Sequence, residues 1–164
     1  MNLWTNQKLA GKGKKKVTQE QFMAYIGLEI AMSFVKLVQV KDYWTDKMFV
    51  QQKDFQSIMS RTLFQEIRGS LMLHEPSMYD HNIAYADPLH HSRNLLGHFL
   101  WNSGKVAVPV GTSALDENSA QTKARCSAVT FNAEKPDKFV IRLYCVVSTA
   151  QTYIHSMMDN QSGN

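Results

Sequence analysis

A chain of 164 residues, 44% apolar and 20% charged, carries enough apolar material for a packed core and too much for general disorder. Its apolar runs fall short of the ~20 residues that span a bilayer, and its first 13 residues lack the apolar block of a secretory signal, so neither a membrane nor an exported class is expected. The net charge of +4 hides an uneven spread: five of the 18 basic residues precede Val17 with no acid among them, which leaves 13 bases against 14 acids in the rest.

Those five are Lys8, Lys12, Lys14, Lys15 and Lys16, interrupted by Gly11 and Gly13. Residues 1–17 therefore read as a basic flexible arm. Lys12, Lys14, Lys15 and Lys16 suit phosphate contact or a nuclear-import signal; a solvated arm with no dedicated partner is the alternative. A helical region is expected over 18–104. Thr18 and Gln21 have the spacing of a capping box, and Phe22, Ile26, Ile30 and Phe34 recur at helical spacing. Tyr43-Trp44 marks a short turn or helix anchored to the core. Ser60 caps a further helix bearing Leu63, Phe64, Ile67 and Leu71, which His74-Glu75-Pro76-Ser77 ends. After a loop rich in Asp and Asn, Asp87-Pro88 opens another helix with Leu89, Leu96 and Leu100 on one stripe, and Asn102-Ser103-Gly104 closes it.

Past Gly104 the pattern changes to strands. Val106 to Leu115 is short and β-branched, Phe139 to Val147 is apolar enough to be central in a sheet, and Thr152 to Met158 is a third, weaker strand. The fold class is α+β: a helical region, then a three-stranded antiparallel meander over 105–164. Cys126 and Cys145 have no metal-type spacing and read as thiols in a reducing compartment. His90, His91 and His98 lack the paired spacing of a zinc site. Arg61, Arg68 and Arg93 suit surface ion pairs on helices.

One run stands apart. Pro109 precedes Asp116 by seven positions, Glu117 follows directly, then Lys123-Ala124-Arg125, Phe131, and Lys135-Pro136-Asp137-Lys138. Upstream come Tyr43-Trp44, Met59-Ser60-Arg61 with Phe64, and Asp87-Pro88-Leu89 with Arg93 and Leu96. This order of parts resembles the piggyBac-type DNA transposases from about Val17 onward. Ala124 and Val140 stand where that family favours glycine.

The resemblance implies an incomplete ribonuclease H-like fold. In the complete fold three acids hold two Mg²⁺ ions that drive in-line displacement at phosphorus. Asp116 is then the first of the three, at the end of the first strand, and the other two family acids are absent. No cofactor is expected for the chain as it stands. Lys123, Arg125, Lys135 and Lys138 become candidate contacts to DNA phosphates, with a solvated loop and turn as the alternative. The expected function is that of a truncated, transposable-element-derived protein without catalytic activity, nuclear or else cytoplasmic. It binds DNA weakly or associates with itself or a fuller relative. Two further readings stand beside it: a fragment of an active two-metal transposase, and a non-enzymatic helical interaction module.

Overall fold

Two polar side chains start two helices of the first unit as their spacing predicts. The computed structural model describes residues 1–48, 50–75, 87–106, 108–150 and 153–160, and the chain divides into two compact units, 1–77 and 78–164. In the first unit Thr18 Oγ1 accepts the Gln21 amide at 3.2 Å while Gln21 Oε1 accepts the Thr18 amide at 2.9 Å, closing a full capping box. Helix α2 (Gln19–Phe34) follows. Ser60 caps α4 (Arg61–Arg68) by accepting the Leu63 amide. Between them lie a 3-10 turn (Val40–Trp44) and the short helix α3 (Lys53–Ile58).

The core of this unit is aromatic. Tyr25 and Trp44 pack on Phe64 with ring centroids 5.2 and 4.9 Å away, and Phe55 lies against both Tyr43 and Trp44. The polar tips find partners: Trp44 Nε1 donates to the Met59 carbonyl at 2.7 Å, and the Tyr43 hydroxyl donates to the Val35 carbonyl. Tyr25 donates to Glu29 at 2.7 Å, and burial, reinforced by that carboxylate, pushes its phenol up. The inward face of α2 differs from the expected stripe. Phe22, Tyr25 and Leu28 are buried, whereas Ile30 is 57% and Phe34 82% exposed, because α4 and the cluster of Tyr43 and Phe55 cover only the first part of the helix.

The expected arm at 1–17 is largely ordered. Asn2–Gly11 is helix α1, and it buries Thr5 and Leu9. Asn6 makes reciprocal hydrogen bonds with the backbone of Val17, 2.7 and 2.9 Å long, which fold the lysine run back. Val17 is itself buried in the core. Lysine and glycine density reads as an arm, yet buried Leu9 and Val17, the Asn6 clamp and Thr5, whose hydroxyl accepts the Met72 amide, dock it.

The second unit is built on β3 (Phe139–Ser148). Strand β1 (Ser113–Gln121) pairs antiparallel along one edge of β3, from Ser113↔Ser148 to Gln121↔Val140. The other edge is shared end to end. Strand β2 (Val129–Phe131) pairs with 139–141, and β4 (Ile154–Asp159) with 143–147. The sheet is antiparallel, but it has four strands and is no simple meander, since β1 and β2 flank β3 and run parallel to each other. The strand expected to be central, β3, is paired on both sides. Among the described residues β1 forms one outer edge of the sheet, and β2 with β4 the other. Val140, at a position where glycine was expected, lies buried and extended in β3, where valine fits without strain.

Helix α5 (His90–Val106) runs through Asn102-Ser103-Gly104 and packs on β4, so it belongs with the sheet and not with the preceding helices. Its start is set by Asp87, whose carboxylate accepts the Leu89 amide and whose carbonyl accepts that of His90. The reason for the regrouping is Arg93. Its guanidinium forks between Asp87, at 2.7 and 2.9 Å, and Asp159 on β4, which is only 4% exposed. Arg93 thus makes a partly buried tie rather than the expected surface ion pair. The Asp/Asn-rich loop, Pro76-Ser77, Ala107 and Thr152 lie outside the described residues.

Replacing Arg93 with alanine strands a buried carboxylate, at a cost of about 3–5 kcal/mol. Urea unfolding should show that loss, and Arg93→Lys should recover little of it because one ammonium cannot fork to two carboxylates. An unchanged midpoint in Arg93→Ala would show that the tie contributes nothing to stability. Asp87 is held below the ordinary carboxylate range by its hydrogen bonds to Arg93. Its pairing therefore adds stability that is full above the unfolded value of about 3.9 and is lost as pH falls through the depressed one. Stability measured from about pH 5 downward should decline, and Asp87→Asn should lack part of that decline.

Candidate nucleic-acid interface

Because β1 and β2 both run antiparallel to β3 on its opposite sides, the chain must cross the start of β3 to pass between them. That crossing, 122–128, carries Lys123 and Arg125. The turn from β2 to β3, 132–138, leaves from the same end of the sheet and carries Lys135 and Lys138. Local polar groups shape both. Thr122 continues the β1 ladder by donating its amide to the Phe139 carbonyl at 3.1 Å, and its hydroxyl accepts the Ala124 amide. Asn132 accepts the Glu134 amide on its side chain and donates its own amide to the Lys138 carbonyl at 2.8 Å.

The result is four exposed cations at one end of one sheet, and among the described residues none of them forms an ion pair. Lys123 and Arg125 border a cleft of about 350 Å³ with Thr122, Cys126, Val129 and Phe139. The basic-x-basic segment and the Lys-Pro-x-Lys turn, ten residues apart in sequence, leave from the same end of the sheet. Two phenylalanines beside them are the part that sequence reasoning passed over. Phe131 and Phe139 stand directly opposite in the β2–β3 ladder, ring centroids 5.2 Å apart. A hairpin with one aromatic on either side of its turn was the available signal.

The N-terminal lysines divide. Lys12 Nζ donates to the Gly69 carbonyl at 2.7 Å and to Ser70, at the negative end of α4. Lys14 pairs with Glu66 at 2.8 Å. Those two cations are engaged within the first unit, while Lys15 and Lys16 remain exposed.

Asp116 lies fourth of nine residues in β1, not at its end, and opposite Cys145. It is exposed, and its carboxylate accepts the Glu117 amide at 2.8 Å. Glu117 points to the other face, 3.7 Å from Arg142. By register, Asp159 shares the face of Asp116, but two strand spacings separate them, roughly 10 Å, and Asp159 is held by Arg93. Among the described residues no three His, Cys, Asp or Glu side chains converge as metal ligands. A hard divalent ion wants several oxygens at once. The described carboxylates therefore do not fit a two-metal centre.

Over 99% of its length the chain superposes on a piggyBac transposase seen by cryo-EM in a synaptic complex with hairpin DNA, with a TM-score of 0.80 and 17% sequence identity. It spans 35% of that transposase chain. No curated protein matches it. Residues 1–162 match the family described as Transposase IS4, and the chain belongs to that family, with the fold of a piggyBac-type transposase.

Proposed function

We propose that these 164 residues are a transposase-derived DNA-binding protein that does not cut DNA by itself. The observation that carries this reading is the gathering of Lys123, Arg125, Lys135 and Lys138 at one sheet end while Asp116 has no carboxylate partner among the described residues. Phosphate neutralisation by such a cluster is sequence-independent and salt-sensitive. The complex in which the similar transposase was seen supports DNA as the partner class. A nuclear location belongs to the same reading. So does association with a second copy or a longer relative along the open edge of β1, where unpaired backbone groups favour strand addition. In a longer chain, Asp116 is the acid around which a two-metal site would be completed.

Two measurements test the reading. Duplex binding titrated against salt should weaken steeply. Lys123→Ala with Arg125→Ala should lower the slope of log affinity on log salt by about 2. Lys12→Ala should leave that slope unchanged, because Lys12 is bonded to Gly69 and Ser70. A slope indifferent to Lys123 and Arg125 would reject the sheet-end interface. Incubation of supercoiled plasmid with the protein and Mg²⁺ or Mn²⁺ should leave it intact. Reproducible cutting abolished by Asp116→Ala would overturn the non-cutting part of the reading.

A further inference from the structure

The β2–β3 hairpin puts two phenylalanine rings where solvent reaches them. Phe131 is 58% and Phe139 55% exposed, and they are tilted 51° to one another. Exposed rings cost hydrophobic free energy unless something covers them. Their surroundings narrow the choice of cover. Between Thr122 and Phe139 the chain carries four bases against two acids, Glu134 and Asp137. Phe139 also lines the cleft that Lys123 and Arg125 border. A fitting ligand therefore combines a polyanionic backbone with flat apolar faces. Unpaired nucleotides have both, and a duplex hides its base faces in the stack.

We propose that Phe131 and Phe139 are a stacking platform for single-stranded nucleic acid, with the phosphates held by Lys123, Arg125, Lys135 and Lys138. The proposal rests on the DNA-binding reading above and names the strand state that the site takes. Register locates the rings on the sheet. Phe131, Phe139 and Thr122 lie on the same face of the sheet as Asp116, and Phe139 precedes Cys145, the partner of Asp116, by six residues of β3. That is roughly 20 Å along the strand. Between Phe139 and Cys145 on that face, Ile141 and Leu143 line a cleft against Leu96, Phe99 and Leu100 of α5, so the helix bounds the platform on this side and the rings stay open at the sheet end.

Fluorescence anisotropy on the whole protein, with a labelled oligothymidine of about 12 nucleotides and a duplex of the same length, decides the matter. The single strand should bind several-fold more tightly and retain more of its affinity at high salt. Phe131→Ala with Phe139→Ala should weaken single-strand binding about tenfold or more and leave duplex binding within about twofold. The paired tyrosine variant should keep single-strand binding. The paired leucine variant, which preserves apolar bulk without a ring, should not. Both rings are surface residues, and circular dichroism with urea midpoints checks that each variant folds. Equal affinity for the two probes, or phenylalanine variants that bind the single strand as the parent does, would overturn the platform while leaving the DNA-binding reading in place. Absence of binding to either probe would overturn both. Loss of a self-association equilibrium in the alanine variant, with nucleic-acid binding unchanged, would overturn the platform alone, since a protein surface would then be what covers the rings.

Discussion

Strand β3 constrains everything in the second unit. Ten residues long, it is hydrogen-bonded along one edge to β1 for most of its length and along the other to two short strands placed end to end. That arrangement forces the chain to cross the start of β3 between β1 and β2 and to turn back there between β2 and β3. Both connections lie at one end, and both carry paired cations. No single residue makes the cluster. It follows from the ladder, and any change that shifted the register of β3 by one residue would send Phe139 and its neighbours to the opposite face together. Arg93 fixes the same sheet from its side by tying the first turns of α5 to Asp159 at the end of β4.

Charge in this protein is a poor guide to availability. The densest basic run, Lys12 to Lys16, supplies one cation to the carbonyl end of α4 and another to Glu66. The sparser cations around β2 stand without acidic partners among the described residues. A helix C-terminus presents unsatisfied carbonyls and partial negative charge, so a nearby lysine has a strong local alternative to a phosphate. The loops around β2 offer no such alternative, and their basic side chains face water.

Much of the fold is legible in the residues themselves. Thr18 with Gln21, and Ser60, act through neighbours three residues away, so a short stretch of chain displays the whole interaction. The β3 run is apolar at eight of its first nine positions and could hardly lie anywhere but inside a sheet. Long-range effects were not legible. The docking of α1 depends on Asn6 meeting Val17 eleven residues on, and α5 continues past Gly104 because the turn there never adopts the left-handed backbone that a glycine stop exploits. The three residues of β2 are too few to show alternation. They become a strand only because 139–141 lie across from them, and the facing of Phe131 and Phe139 depends on that pairing.

Asp116 and the phenylalanine pair place two kinds of demand on one face. A carboxylate that is exposed, half-way along an open-edged strand and bonded to its own neighbour's amide is poised to gain ligands from outside these elements, because nothing described in the sheet competes for its second oxygen. Asp159 shows the opposite case: the same residue type on the same face, closed off by a bidentate guanidinium. Geometry therefore separates the two acids where composition could not. One serves the fold, and removing its partner strands a buried charge. The other is exposed and makes one local hydrogen bond, to the amide of Glu117, so its loss should cost the sheet far less than the loss of Arg93.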